Sequence, residues 1–359
     1  MNKPDHRLDI EGVSIGFDEP TYFIADIAAN HDGSLARAKD LIYKAKEAGA
    51  NAAKFQHFKA EGIVSDFGFR SLGQKQSHQA SWNKSVFEVY KDASVSTDWT
   101  HELKKTCDEA GITFFTSPYD KELVDHIDPY VSAYKIGSGD ITWTDIIRYI
   151  ASKKKPYLLA TGASNFEDVD RAVQAGLSIN SAMALLQCNT NYTGSLENMK
   201  YIQLNVLRTY REMYPTMILG LSDHTPGHST VLGAVALGAK IVEKHFTDDK
   251  SRAGPDHLFG MDPKDWAEMV NCTRELEAAL GNGIKKVEEN EKETVVLQRR
   301  SLRFTGKKKS GEKIEENDLI SLRPCPVDGL APYHLPGIIG RVMRNDRQPG
   351  DYIRWGDLD

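Results

Sequence analysis

Residues 239–249 read AKIVEKHFTDD. Ile241 and Val242 have the β-branched character of strand interior. The run then breaks into Glu243, Lys244 and His245. A charged strand tip is ordinary by itself, because strands end at the surface. Its meaning depends on whether the other strands of the chain end in the same way.

Seven more runs do. YFIADI (22–27), NAAKFQHF (51–58), ITFFTS (112–117), AYKIGS (133–138), PYLLAT (156–161), MALLQC (183–188) and MILGLS (217–222) precede KIVEKHF (240–246). Amphipathic stretches separate them. In SLARAKDLIYKAKEAGA, Leu35, Ala38, Leu41, Ile42, Ala45 and Ala48 fall on one helical face, and Gly49 stands where a helix stops. Eight βα units predict a (β/α)8 TIM barrel, with a doubly wound sheet as the alternative.

In such a barrel the active site lies at the C-terminal ends of the strands. Those ends read DIAANHDG, KFQHFK, TSPYD, KIGSGD, ATGAS, CNTNY, SDHT and EKHF. All are polar, so eight converging tips point to a site where one would be a solvated rim. His224 and His245 come from adjacent strands, and two imidazoles with carboxylates nearby suit a divalent metal with open positions. His228 and His257 fall in loops and are left out of that pair. Lys54 and Lys135 sit inside apolar strands, where an ammonium needs an anion. With Ser117, Ser138 and Ser222 they form a cage suited to a phosphate and a carboxylate; the alternative is a lysine paired internally with Asp26 or Glu243. Asp26, Asp140, Glu243 and Asp256 offer acid/base or hydroxyl-binding groups, and spacing does not choose which moves a proton. No P-loop or GxGxxG is present, so a nucleotide is not indicated. These residues suggest a metal-assisted barrel enzyme for a small phosphorylated anion.

Bulk properties exclude other classes. A net charge of −6 gives no general attraction to nucleic acid or anionic membrane. No apolar run reaches the roughly 18 residues of a membrane span, and MNKPDHRLDIEG lacks the apolar core of a signal peptide. Cys107, Cys188, Cys272 and Cys325 form no CxxC pair, which argues against a disulfide framework or a structural zinc site and fits a reducing cytoplasm.

The segments FIADIAANHDGSL, AGANAAKFQHFKAE, FFTSPYD, AYKIGSGD, LLATGAS, GLSDHT, VALGAKIVEKHFTDD and RAGPDH cover most of residues 20–260. Together they resemble the sialic acid (N-acylneuraminate, or nonulosonate) synthase family. The resemblance implies a barrel domain (1–285), a linker (286–298) and a small β-rich antifreeze-like (SAF) domain (299–359). The tail carries a faint repeat, GEKIEENDL at 311–319 and GDYIRWGDL at 350–358. The implied reaction joins phosphoenolpyruvate to an open-chain N-acylamino hexose, giving a nine-carbon 2-keto-3-deoxy sugar acid and phosphate. N-acetylmannosamine is the default sugar. A di-N-acylated 6-deoxy hexose, leading to a legionaminic- or pseudaminic-type acid, is the alternative.

By the same resemblance Lys54, Ser117, Lys135, Ser138 and Ser222 hold phosphoenolpyruvate. Gln56, Tyr192, Asp256 and Arg323 hold the sugar, the last reaching a partner's barrel from SLRPCPVDGLAP in a domain-swapped homodimer. A divalent metal, Mn²⁺ first with Mg²⁺ or Co²⁺ as alternatives, sits on His224 and His245 beside Glu243. Asp26 and Asp140 replace the glutamates common in the family, Ala160 replaces a serine, and CNTNYTG departs from the commoner pattern, which leaves Asn189, Thr190 and Asn191 unassigned. Two other readings are a different metal-dependent barrel lyase or aldolase, which does not explain the SLRP tail, and a non-catalytic sugar-binding barrel.

Overall fold

The structure, a computed structural model, describes residues 7–72, 79, 82–192 and 194–359. They divide into two compact units, residues 1–281 and 282–359. No helix among the described residues is long and apolar enough to cross a membrane.

The first unit opens with a hairpin, β1 (Leu8–Ile10) and β2 (Val13–Ile15). Eight parallel strands follow: β3 (Tyr22–Asp26), β4 (Ala52–His57), β5 (Thr113–Pro118), β6 (Tyr134–Ile136), β7 (Tyr157–Ala160), β8 (Met183–Cys188), β9 (Ile218–Asp223) and β10 (Ile241–His245). The sheet order is β5-β4-β3-β10-β9-β8-β7-β6, and β5 comes alongside β6, so the ring is nearly closed. Pairing of the first strand with the last defines the barrel and excludes the doubly wound alternative. Each strand lies within two residues of its expected bounds at either end.

The helices are α1 (Leu35–Glu47), three short helices α2 (Ala60–Ile63), α3 (Asp66–Ser71) and α4 (Val86–Ala93) after β4, then α5 (Thr100–Ala110), α6 (Lys121–Ile127), α7 (Thr144–Ser152), α8 (Phe166–Leu177), α9 (Val206–Met213), α10 (Ser229–Ala236) and α11 (Pro263–Leu280). In α1 the Ser34 hydroxyl accepts from the Arg37 N–H and caps the start. Ala38, Leu41, Ile42 and Ala45 face the strands, and Gly49 follows at φ +94°, which a residue with a Cβ rarely adopts.

Strand alternation separates two environments. Outward residues such as Phe23, Phe55, Leu159, Leu219 and Val242 form the core between strands and helices. Inward, the lower half is apolar, with Ile24, Ala52, Phe115, Leu158, Leu186 and Ile241. Leu8, Ile10 and Ile15 of the hairpin join this inner cluster, each at most 2% exposed. Burying each contributes roughly 1.5–3 kcal/mol, so the hairpin plugs the closed end and the mouth stays polar.

The second unit contains α12 (Lys292–Gln298), the antiparallel pair β11 (Ser301–Phe304) and β12 (Leu319–Leu322), and α13 (Leu335–Ile338) around Leu302, Phe304, Ile314, Met343 and Ile353. Its two sequence repeats have matching structure. Glu316–Asp318 and Trp355–Asp357 are both 3-10 turns closed by a reciprocal capping box. In each, the aspartate pairs with a cation ten residues upstream, Lys308 with Asp318 and Arg347 with Asp357, and Lys308 and Arg347 bridge each other antiparallel.

Candidate active site

The strand tip EKH points in two directions. Glu243 and His245 face the barrel interior, whereas Lys244 faces the helices. Lys244 is fully buried, and its Nζ donates to Asp223 Oδ2 at 2.5 Å and to the Thr225 carbonyl at 2.6 Å. The Thr225 and Thr230 hydroxyls donate to the same Asp223 oxygen at 2.9 and 2.8 Å. The turn carrying His224 is therefore fastened from behind.

Inside the mouth, Lys54 Nζ lies 2.6 Å from Asp26 Oδ2 and 3.3 Å from Glu243 Oε1. Lys135 Nζ lies 3.6 Å from the same Glu243 oxygen and donates to the Ile136 carbonyl at 3.1 Å. The internal pairing weighed from sequence is thus present for both lysines. Gln56 donates to Asp26 at 3.2 Å, and Ser222 donates to Glu243 at 3.3 Å. Burial drives Asp26 upward against the pull of Lys54. Burial also raises Glu243, but Lys135 and Lys54 outweigh it and hold that carboxyl below its usual range. Lys54 keeps its proton because Asp26 and Glu243 overcome its desolvation, whereas desolvation pulls Lys135 down. Lys135 is the less compensated cation of the two.

His224 and His245 stand with ring centroids 5.4 Å apart. His224 Nδ1 contacts the Asn189 carbonyl at 3.1 Å. His245 Nε2 lies 3.8 Å from Asp26, and its Nδ1 lies 4.0 Å from Asp256. Burial, with His224 beside it, keeps His245 neutral far below its usual pKa. Burial alone would lower His224 too, but Cys188, Asp223 and the Asn189 carbonyl raise it. The Tyr192 ring centroid lies 4.5 Å from that of His224, and the Phe259 centroid lies 4.8 Å from that of His245 and 5.5 Å from that of Tyr192. Asp256 receives the Ala29 N–H at 3.0 Å, and burial pushes its carboxyl up to about 6. Asp140, in the turn after β6, also reaches about 6 by burial, against Lys135. Ser138 accepts the Gly162 N–H at 3.0 Å, and a Cβ on Gly162 would meet Thr190 Oγ1 at 1.8 Å and Ser138 Oγ at 2.8 Å, so glycine at 162 lets the loops after β6, β7 and β8 come together.

Among the described residues, Ser117 Oγ, Glu243 Oε2 and His245 Nδ1 are buried polar atoms of the mouth with no hydrogen-bond partner. Such atoms are costly unless a ligand completes them. Their placement fits an anion beside the lysines and a cation beside the imidazoles. The barrel thus brings together Asp26, Lys54, Gln56, Ser222, Glu243, His224, His245, Tyr192 and Asp256, with Lys135 joined through Glu243. Ser117 is the inward residue of β5 next to Gln56 in register. Ser138 and Asp140 sit on the adjoining rim. Arg323 belongs to the second unit, where it is exposed and its Nε donates to the Gln298 carbonyl at 2.7 Å.

Among the described residues, one group of three His, Cys, Asp or Glu side chains has donor atoms within 4.8 Å of one another, and it is His228, Glu268 and Cys272. Sequence reasoning missed it. In the sequence His228 reads as a loop residue, and the other two lie 40 and 44 positions further along the chain.

An eight-stranded parallel barrel with this polar mouth and a small C-terminal unit defines a class, and comparison with known proteins places the chain within it. The NeuB family model matches residues 41–285. The chain belongs to the NeuB family. It is 34% identical to an N,N'-diacetyllegionaminic acid synthase of Legionella pneumophila over 94% of each chain. It is 32% identical to a pseudaminic acid synthase of Campylobacter jejuni over 95% of this chain and 97% of the relative. The crystal structure of an N-acetylneuraminic acid (sialic acid) synthetase from Leptospira borgpetersenii superposes with a TM-score of 0.71 at 27% identity, covering 81% of this chain and 95% of that one.

Proposed function

We propose that the chain condenses phosphoenolpyruvate with an open-chain N-acylamino hexose to give a nine-carbon 2-keto-3-deoxy sugar acid. The observation that supports this most is the inward layer of Lys54, Lys135, Asp26, Glu243, His224 and His245 at the strand ends, with three polar atoms unpartnered. Lys135, Lys54, Ser117, Ser138 and Ser222 hold the phosphate and carboxylate, and the incoming anion compensates Lys135. Gln56, Tyr192 and Asp256 orient the sugar beside the aromatic contact of Tyr192 with Phe259. His224 and His245 hold a divalent cation, Mn²⁺ first, which when bound supplies Lewis-acid polarisation of the aldehyde oxygen.

The enol carbon forms the new bond to the aldehyde carbon, whose oxygen takes a proton. Water adds at the phosphate-bearing carbon, and the bond from that carbon to the phosphate oxygen breaks. Asp140 and Asp256 titrate near 6 and are the side chains best placed to exchange protons near neutrality. Residues 286–298, at the start of the second unit, serve as the linker to its β-rich part, and Arg323 reaches the sugar in the barrel of a second copy.

Relatives that match nearly the whole chain are named for legionaminic and pseudaminic acids, which favours a di-N-acylated 6-deoxy hexose over N-acetylmannosamine. The Tyr192–Phe259 wall supports the same choice, since it suits the methyl groups of such a sugar. A panel of both sugar types with phosphoenolpyruvate and Mn²⁺, scored by phosphate release, tests the reading. Turnover of neither type overturns it.

A further inference from the structure

His228 is half-buried and precedes the first turn of α10, while Glu268 and Cys272 lie one turn apart on α11. Their Nδ1/Nε2, carboxylate and Sγ donors all fall within 4.8 Å of one another. Among the described residues, none of the three side chains hydrogen-bonds or ion-pairs to another group, and Cys272 is a free thiol. The donor set is therefore both convergent and unspent. Val231, Ala234 and Val235 of α10 and Trp266 and Met269 of α11 pack into the core between strands and helices. The three donors thus belong to the outer wall, not to the interior that His224 and His245 face.

We propose that His228, Glu268 and Cys272 form a second cation site, for a borderline-soft divalent ion of the zinc class. One nitrogen, one oxygen and one sulfur suit such an ion, whereas Mg²⁺ and Ca²⁺ prefer oxygens alone. Three protein ligands leave the fourth tetrahedral position to water. Because the thiol binds as thiolate, occupancy releases a proton. The ion ties the start of α10 to α11. Only Thr225, Pro226 and Gly227 separate His228 from His224, so a filled site restrains the turn that presents His224 to the mouth. The site does not depend on the proposed condensation.

Cobalt substitution of the metal-stripped full chain tests the site, because a thiolate on Co²⁺ gives a charge-transfer band that imidazole and carboxylate do not. Cys188 provides the control, since its thiol lies near His224. The band is expected in the wild type and in Cys188→Ser, absent in Cys272→Ser, bleached by Zn²⁺ and unaffected by Mg²⁺. His228→Ala and Glu268→Gln should weaken Co²⁺ binding at that band by at least about tenfold, a floor set by what losing even an outer-shell partner costs. Circular dichroism confirms that each variant is folded. No band in the wild type, a band that survives Cys272→Ser, or a band lost in Cys188→Ser overturns the proposal. Loss of condensation activity with the band intact would bear only on the mouth.

Discussion

Lys244 Nζ and Asp223 Oδ2 meet at 2.5 Å behind the barrel wall, each side chain 1% exposed. The pair joins the tips of β9 and β10 in register and holds the residues that precede His224 and His245. Removing one partner of a buried pair leaves an uncompensated charge and costs about 3–5 kcal/mol. Asp223→Asn and Lys244→Met should each lower stability by about that amount. The double variant should lose less than the sum, because neither charge is then left alone. Denaturant titration of the three variants measures this.

Lys54 and Lys135 should respond differently. Lys54→Ala strands Asp26 and Glu243, so it should lower both stability and phosphoenolpyruvate use. Lys135 is already disfavoured as a buried cation, so Lys135→Ala, although it removes one charge facing Glu243, should lower melting less than Lys54→Ala. A charge-assisted bond to a phosphate is worth roughly 1.5–3 kcal/mol, so kcat/KM for phosphoenolpyruvate should fall about ten- to a hundred-fold. Steady-state kinetics beside thermal melts separate the two roles.

Asp140 and Asp256 both rise from 3.8 to about 6 on folding. Between those values the folded protein binds more protons than the unfolded chain, so their contribution to stability falls as pH rises from about 4 to about 6 and is level above. Asp256→Asn should remove part of that slope, read as a smaller change in Tm between about pH 4 and about pH 6. The proposed hydroxyl-binding role of ionised Asp256 also predicts that kcat/KM rises through about 6 and that this inflection weakens in the variant.

The strands were legible because eight apolar runs of similar length each ended in polar residues, and the register preserved that pattern from Asp26 to His245. The direction of Lys244 was not. In the sequence EKH forms one charged tip, and only strand alternation sends its middle residue to Asp223. The hairpin of Leu8–Ile15 was also missed, since three-residue strands carry too little periodicity. His228, Glu268 and Cys272 were invisible because the packing of α10 against α11 unites them, not any spacing. The two tail repeats were faint as letters, yet the Lys308–Asp318 and Arg347–Asp357 pairs repeat at the same separation.

Arg323 lies in the second unit, and its proposed place is over the barrel of another copy. Arg323→Ala and His245→Ala subunits, each inactive alone, should regain part of the activity when co-assembled, because one mouth then has an intact barrel and an intact arginine. Mixed assemblies that stay inactive while both parents remain folded would exclude the shared site.

The most direct measurement is the stoichiometry of phosphate release with phosphoenolpyruvate and a di-N-acylated 6-deoxy hexose, in metal-stripped protein before and after Mn²⁺ is restored. One phosphate should appear per sugar consumed. Release should need both the sugar and the metal, and His224→Ala or His245→Ala should abolish it. Phosphate released without sugar, or full turnover by the metal-stripped protein, would contradict the assignment of the barrel mouth as a metal-assisted condensation site.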